Sequence, residues 1–283
     1  QTFFIITGIC SSFTTQFPKF VWKNIKTLLI PAALLVVLSS YVCDIFSGTV
    51  SMSMALKKHG YRVISNDISY FSYHFANFYL KNNCIPDFDL KALGIDKVND
   101  TEVENQIEEQ RGKDGFLFLD KVSNEDKFKK IAIILKYLEQ INDDAINKEN
   151  INHYFYDTYT EEGDNSKFCS KRGSIGNRRF FSPANGKRLD TIMNKIREWY
   201  QMNVLTDLQY SLLISVVCES VEKISNTQGT YHDFQREGYD ARALNPLTLR
   251  WPAFDAIIGT NNSHIIGKCQ DSLTFIEEVP EHS

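Results

Sequence analysis

Residues 42–67 read VCDIFSGTVSMSMALKKHGYRVISND, and this stretch decides which fold we predict. An apolar run ends at Asp44, a short loop containing Gly48 follows, and a helix-like segment then leads to Gly60. A second apolar run, residues 61–65, ends in Asn66 and Asp67. This order is typical of one βαβ unit of a nucleotide-binding fold, which consists of a strand, a tight loop, a helix, a second strand and an acid.

The loop after the first strand is the candidate ligand site. Gly48 has no Cβ, so a ligand can approach the backbone closely there. Free N–H groups at the start of the next helix favour a negatively charged group at the same place. Asp67 follows Asp44 by roughly 20 residues, a spacing at which an acid accepts hydrogen bonds from a ribose diol. The alternative is a βαβ unit that binds no ligand, or one that binds a different nucleotide.

The composition is that of an ordinary globular protein with one elaborated domain or two. The chain has 283 residues, of which 43% are hydrophobic and 23% charged. Its net charge of −4 means that any nucleic-acid-binding surface has to be a local patch. The six cysteines are far apart and lack metal-ligand spacing, which argues against a zinc site and a disulfide framework. A reducing, cytoplasmic setting fits this pattern best.

Three further segments predict helices. Residues 27–43 are strongly apolar, and we interpret them as a buried helix leading into the first core strand, with a membrane span as the alternative. Residues 70–79 and 127–141 place apolar side chains at helical spacing, which predicts helices that pack in a core. Near residue 91 the composition becomes acidic and polar, which indicates an insertion into the nucleotide-binding layer.

Residues 167–188 form a basic segment, KFCSKRGSIGNRRFFSPANGKR, that contains no acid. Such a local concentration of positive charge suits a phosphate backbone. A solvated loop beside an acidic neighbour is the alternative. The candidate DNA-binding residues in this segment are Lys171, Arg172, Arg178, Arg179, Lys187 and Arg188.

Two predicted helices follow the basic segment. The first covers residues 189–201, and the second begins after a Thr206 or Asp207 cap. Residues 226–231 then read NTQGTY, in which small polar residues surround a glycine before a tyrosine. A loop of this kind can hydrogen-bond nucleic acid and stack on a base, although a plain surface turn has the same composition. Its candidate DNA-binding residues are Asn226, Thr230 and Tyr231.

The loop sequence is similar to that of a known enzyme family. Asp44-x-Phe46-Ser47-Gly48-Thr49 resembles motif I of S-adenosylmethionine-dependent DNA methyltransferases rather than the dinucleotide pattern G-x-G-x-x-G. From about residue 20 onwards the chain resembles the D12 class of adenine-specific DNA methyltransferases, most densely in residues 44–83 and 178–252. In the second block the matching residues are Arg179, Phe180, Phe181, Asn185, Leu189, Asp190, Trp199, Asn226, Thr227, Gly229, Thr230, Tyr231, Phe234, Arg242, Ala243, Leu244, Leu247 and Leu249.

This resemblance implies an α/β fold, with a Rossmann-like S-adenosylmethionine-dependent methyltransferase core and a mostly helical target-recognition insertion. Residues 1–90 would hold the cofactor part, residues 91–256 the insertion, and residues 257–283 a return to the core as a strand, Asp271 and a short helix. The implied partner is double-stranded DNA with one adenine flipped out, in a restriction–modification setting. The implied cofactor-binding residues are Asp44, Phe46, Ser47, Gly48, Thr49, Asp67, Ile68 and Asp271.

The sequence departs from the family pattern in two ways. The family receives the flipped adenine in a D-P-P-Y loop, but no two of the seven prolines here are adjacent, so the motif is absent. Val50 stands where the family usually has a second loop glycine, and a β-branched residue is expected to crowd the cofactor and to resist a positive φ.

These departures leave more than one function open. The first expectation is an adenine N6 DNA methyltransferase that is present without its catalytic loop, as a fragment or as one half of a split enzyme. The alternative is a non-catalytic DNA-binding subunit or pseudo-methyltransferase that needs a partner chain. A methyltransferase that acts on RNA or protein is a third possibility, and the resemblance over residues 178–252 argues against it.

Overall fold

The computed structural model describes residues 41–95, 105, 125–169, 173, 175–227, 234–257, 264–267 and 269–279. The chain divides into two compact units. We call Gln1–Cys84 with Ala256–Ser283 the core unit, and Ile85–Asp255 the helical unit. The assignment of residues 1–90, 91–256 and 257–283 to cofactor binding, target recognition and a returning core stays a prediction.

A parallel sheet organises the core unit. Its strands are β1 (Val42–Asp44), β2 (Val63–Ser65) and β5 (Ile265–Ile266), in the order β1–β2–β5. Asp44 pairs with Ser65, and Ser65 pairs with Ile266. All three strands were predicted from the sequence and are confirmed. Because the strands are parallel, their carboxyl ends meet at one edge of the sheet, where ligands bind in open α/β sheets.

Three helical segments accompany the sheet in the described part of the core unit. Helix α1 (Ser51–Lys58) follows the Gly48 loop, and α8 (Ser272–Glu278) follows Asp271, both as predicted. Helix α2 (Tyr70–Phe75) carries the aromatic residues of the predicted helix and continues as a π-helical turn, Ala76–Leu80. One cluster of buried apolar side chains joins the sheet to α8 and consists of Ile45, Ile64 and Phe275.

Helix α1 contains a buried lysine, Lys57, whose burial was not predicted from the sequence. The side chain of Lys57 is 2% exposed, and its Nζ donates to the backbone oxygens of Tyr79, at 2.8 Å, and of Asn82. These carbonyls lie at the end of the π-helical turn, where backbone acceptors lack helical partners. Burial lowers the pKa of Lys57 to about 8. The lysine therefore ties α1 to the segment that follows β2.

The end of β2 is also fixed to the end of β5. Gly267 N donates to Ser65 O at 2.8 Å, and Asn66 Nδ2 donates to Gln270 O at 2.9 Å. The Asn66 side chain lies so close to Gly267 that a Cβ built on the glycine would fall 2.1 Å from Asn66 Oδ1. Position 267 therefore needs a glycine for lack of space.

We expect Gly267→Ala to lower the free energy of unfolding by about 1–3 kcal/mol, because the added methyl group displaces Asn66. Gly176→Ala is the matched control, since a Cβ at Gly176 would meet Phe168 at an ordinary 3.5 Å. Urea denaturation of both variants measures the difference. Equal midpoints for Gly267→Ala and the parent chain would contradict the close approach.

The helical unit contains the helices α3 (Glu125–Gln140), α4 (Tyr154–Tyr159), α5 (Pro183–Gln201), α6 (Asp207–Val221) and α7 (Ala241–Leu244). It also holds the short 3₁₀ turns Asp143–Ala145 and Lys148–Asn150 and the antiparallel hairpin of β3 (Lys167–Cys169) and β4 (Ile175–Asn177). Another 3₁₀ turn covers Phe254–Ala256.

The predicted helices of this unit are confirmed, and the largest shift of a boundary is at the start of α5. Helix α5 begins earlier than predicted, because Ser182 caps it and Pro183 occupies its first turn. Helix α6 begins at Asp207, since Thr206 and Gln209 form a capping box.

Buried polar side chains connect the elements of the helical unit. Asn185 Nδ2 donates to Ala243 O at 3.0 Å and to Asn245 O at 2.8 Å. The carboxylate of Asp190 accepts the N–H groups of Phe155 and Tyr156, both at 2.8 Å, at the start of α4. Burial raises the pKa of Asp190 to about 6. These residues therefore fix the positions of α4, α5 and the segment after α7.

No helix within the described ranges is long and apolar enough to span a membrane. Most of the apolar stretch at residues 27–43 lies outside those ranges, so neither the buried-helix nor the membrane interpretation is tested there. The cysteines that the structure describes, Cys43, Cys84, Cys169, Cys218 and Cys269, are free thiols.

Candidate functional site

The loop after β1 is held against the carboxyl end of β2. Ser47 donates to Asn66 O from both its backbone N, at 3.0 Å, and its Oγ, at 3.1 Å. Gly48 N donates to Asp67 Oδ2 at 2.9 Å. Gly48 has a φ of 49°, and nothing lies within 4 Å of where its Cβ would be. The loop therefore presents bare backbone to open space, as a close approach of a ligand requires.

Asp67 keeps hydrogen-bonding capacity for a ligand. Its Oδ1 accepts the N–H of Ser69 at 2.8 Å, and its Oδ2 accepts that of Gly48. A carboxylate has about four acceptor positions, so roughly two remain. Asp67 is only partly buried. It is thus fixed in orientation by two backbone groups while it can still accept bonds from hydroxyl groups.

Asp44 is a second acid at this edge. It is 5% exposed, and its Oδ2 accepts the Ser53 hydroxyl at 2.6 Å. Burial raises the pKa of Asp44, the hydrogen bond from Ser53 opposes that rise, and the charge of Asp67 adds to it. Two acids that interact electrostatically make this edge of the sheet favourable for a positively charged group.

Val50 adopts the backbone conformation that the missing glycine would favour. Its φ is 53° at the position that caps α1, a left-handed conformation that costs a residue with a Cβ about 1–2 kcal/mol. The side chain of Val50 is completely buried, and the expectation that it crowds a ligand stays a prediction. The valine therefore introduces backbone strain in the loop without lining its open side.

Apolar and polar side chains flank the loop. Phe46 is 45% exposed and Ile68 is 72% exposed, so both offer apolar surface. Thr49 is exposed, with its Oγ1 3.0 Å from Ser51 Oγ. Asp271 caps α8 by accepting the N–H of Leu273 at 2.9 Å, and a contact of Asp271 with a cofactor stays a prediction. The loop, both acids and the two apolar side chains fit a ligand that has hydroxyl groups, positive charge and a flat ring.

Comparison with known proteins identifies the family of the chain. The sequence profile of the D12 class of N6 adenine-specific DNA methyltransferases matches residues 24–265, which is most of the chain. The chain belongs to this D12 methyltransferase family. The resemblance stated from its motifs is confirmed at the level of the family. Members of the family use S-adenosylmethionine, and they belong with restriction–modification enzymes.

Several curated proteins are similar to this D12 family member. Type II methyltransferase M.FokI of Planomicrobium okeanokoites is 28% identical over 240 residues, which cover 83% of this chain and 28% of that protein. Modification methylase StsI of Streptococcus sanguinis is 28% identical over 73% of this chain and 23% of its own length. Type II methyltransferase M.NlaIII of Neisseria lactamica is 24% identical, over 79% of this chain and 48% of its own length. The chain thus spans half or less of each of these relatives. No solved structure matches it.

The predicted DNA-binding residues of this D12 family member divide into three groups, of which the first lies at the surface. Lys187 is exposed, and its Nζ lies 4.6 Å from the centre of the Tyr156 ring. Arg178 Nη1 donates to Asn165 O at 3.0 Å and to Lys167 O at 3.3 Å, beside the β3–β4 hairpin. Both side chains remain partly or fully accessible.

The second group holds the fold of the helical unit. Arg179 forms an ion pair with Glu161 at 2.5 Å. Glu161 is thus an acidic neighbour of the basic segment, as the alternative of a solvated loop assumed. Arg188 Nη2 donates to Leu138 O at 2.6 Å. Asn226 is completely buried, and its Nδ2 donates to Arg179 O at 2.9 Å. These contacts are intramolecular, so a DNA contact by Arg179, Arg188 or Asn226 stays a prediction.

The third group, Lys171, Arg172, Thr230 and Tyr231, lies outside the described residues.

Ser53, Asn66 and Lys57 position the site, and the sequence patterns did not indicate this role. Ser53 and Lys57 lie one helical turn apart on α1, and both are buried. Their spacing of four residues was the available signal. The partners of these side chains are distant in sequence, so the sequence did not identify their contacts.

We expect Ser53→Ala to lower the free energy of unfolding by about 1–3 kcal/mol near neutral pH, because the buried Asp44 carboxylate loses its donor. Losing the donor also raises the folded-state pKa of Asp44 further above its unfolded value. Ionised Asp44 therefore costs more stability in the variant, and the deficit shrinks as falling pH protonates the acid.

Thermal unfolding across the acid-to-neutral range measures this effect, with Ser51→Ala, an exposed serine of the same helix, as the control. A deficit that does not change with pH would show that Ser53 does not act through Asp44.

Proposed function

We propose that this chain binds S-adenosylmethionine at the Gly48 loop, as part of a site-specific DNA methyltransferase that modifies adenine at N6. The observation that carries the proposal is the hydrogen bond from Gly48 N to the Asp67 carboxylate, which joins the loop to the acid after β2. Membership of the D12 family supports the choice of cofactor and reaction.

Different residues around the loop would contact different parts of the cofactor. The free acceptor positions of Asp67 would accept hydrogen bonds from the ribose hydroxyls. Phe46 and Ile68 would pack against the adenine ring, since both expose apolar surface. Asp44 and Asp67 would together favour the positively charged cofactor. Ser47, Thr49 and Asp271 complete the proposed set. When bound, the cofactor supplies a methyl group on a positively charged sulfur.

We infer that double-stranded DNA is the substrate and that the helical unit contacts it. The proposed contacts are the accessible Arg178 and Lys187, together with Lys171, Arg172, Thr230 and Tyr231. Arg179, Arg188 and Asn226 would contribute mainly by holding the segments that carry these residues. In the duplex the N6 amine of adenine is base-paired and its ring is stacked, so the base has to leave the stack before it is methylated.

A non-catalytic DNA-binding subunit that works with a partner chain is the second candidate. In the family resemblance the D-P-P-Y motif holds the adenine, and residues 1–283 contain no such motif. Methylation of duplex DNA by this chain alone would exclude this candidate.

The test of cofactor binding is isothermal titration calorimetry with S-adenosylmethionine. We expect the parent chain to bind and Asp67→Ala to bind at least about tenfold more weakly, because two charge-assisted hydrogen bonds to the ribose are lost. Asp164→Ala, which removes an exposed aspartate of the helical unit, should bind as the parent does.

A thermal melt of Asp67→Ala is needed beside the titration, because Asp67 also accepts two backbone N–H groups. Absence of binding by the well-folded parent chain would overturn the proposed cofactor site. Equal affinities of the parent and a folded Asp67→Ala variant would overturn the role of Asp67 alone.

A further inference from the structure

The helical unit contains a polar pocket of about 470 Å³ that none of the predicted DNA-binding residues lines. One wall is the segment Glu149, Asn150, Ile151, Asn152 and His153, just before α4. The other wall is one face of α5, formed by Asn194, Arg197, Glu198 and Gln201, which recur at helical spacing.

Two polar side chains on the α5 face of this pocket are engaged within the protein. Glu198 Oε2 accepts a bond from Lys195 Nζ at 2.8 Å, and its Oε1 accepts the N–H of Asn147 at 2.8 Å. Asn194 Nδ2 donates to Asn152 O at 2.9 Å, which fixes one wall against the other. The pocket is therefore a built feature, and the negative charge of Glu198 is neutralised.

Arg197 differs from these neighbours. Its side chain is partly buried, and it makes no hydrogen bond or ion pair with any residue that the structure describes. Arg178, Arg179 and Arg188, in contrast, all donate to protein oxygens. A guanidinium carries five N–H donors in a planar fork, so the donors of Arg197 are available to an acceptor that enters the pocket.

The side chains that line the pocket favour a phosphate group as the ligand. The guanidinium fork matches two oxygens on one phosphorus, and exposed Asn152 and Gln201 can add neutral amide donors. Arginine, asparagine and glutamine are among the side chains that contact phosphate oxygens of DNA. We propose that Arg197 in this pocket binds a phosphodiester of the DNA backbone. This inference rests on the proposed DNA-binding function.

Glu149 opposes an anion at this place. Its carboxylate is exposed on the pocket wall, and only its backbone N–H is used, by Asn147 Oδ1. Removing this negative charge should therefore strengthen DNA binding, whereas removing the positive charge of Arg197 should weaken it. The two changes have opposite expected signs, which a general loss of folding cannot produce.

The test is binding of duplex DNA over a series of salt concentrations. Arg197→Gln should bind DNA of any sequence roughly tenfold more weakly at low salt. Its log–log salt slope should fall by about 0.9, the value for one lost phosphate contact. Arg197→Lys should keep the parent slope, because it keeps the charge. Arg250→Gln, which removes an exposed arginine outside the pocket, should match the parent in slope.

Each outcome is decisive. An unchanged affinity and slope in folded Arg197→Gln would overturn the inference while leaving the proposed function intact. Weaker binding to one sequence only, with an unchanged slope, would overturn the phosphate contact in favour of a base contact. If Arg197→Gln does not fold, Glu149→Gln carries the test, and unchanged binding by it counts against the pocket. If the parent chain does not bind duplex DNA, the DNA-binding function falls together with this inference.

Discussion

The hydrogen bond between Gly48 N and the Asp67 carboxylate is the contact on which the candidate site depends. It links a loop after β1 to an acid after β2, and parallel pairing of Asp44 with Ser65 brings those two strand ends together. Ser47 strengthens the same junction by donating twice to Asn66 O. Without this junction the loop would have no fixed relation to the acid, and a cofactor would have to order both on binding.

A second set of contacts stabilises this junction between the loop and Asp67. Ser53 holds the buried Asp44, and Lys57 ties α1 to the turn after Tyr79. Asn66, packed against Gly267, fixes the neighbouring strand β5. These side chains are polar and buried, so each is costly to leave without a partner. They explain how three short parallel strands keep their carboxyl ends in place.

The sequence was sufficient to predict the elements but not the contacts between them. Strands, the Gly48 loop and the helices of residues 42–80 follow local patterns, and the family motif locates the ligand loop. The early start of α5 was readable from Ser182 and Pro183. The internal roles of Arg188 and Asn226 could not be predicted from the sequence. Their partners, Leu138 and Arg179, lie about 50 residues away in the chain. A basic segment therefore indicates charge, whereas only the folded chain shows which charges remain accessible.

The central claim is that S-adenosylmethionine binds where the loop meets Asp67, and amide NMR of the ¹⁵N-labelled chain tests it most directly. The account predicts saturable shifts of the Gly48 and Ser69 amide signals on addition of the cofactor, because Asp67 accepts both N–H groups. The amide signal of Gly186, inside α5 of the helical unit, should stay in place. Cofactor binding that leaves the Gly48 and Ser69 signals unchanged would contradict the account.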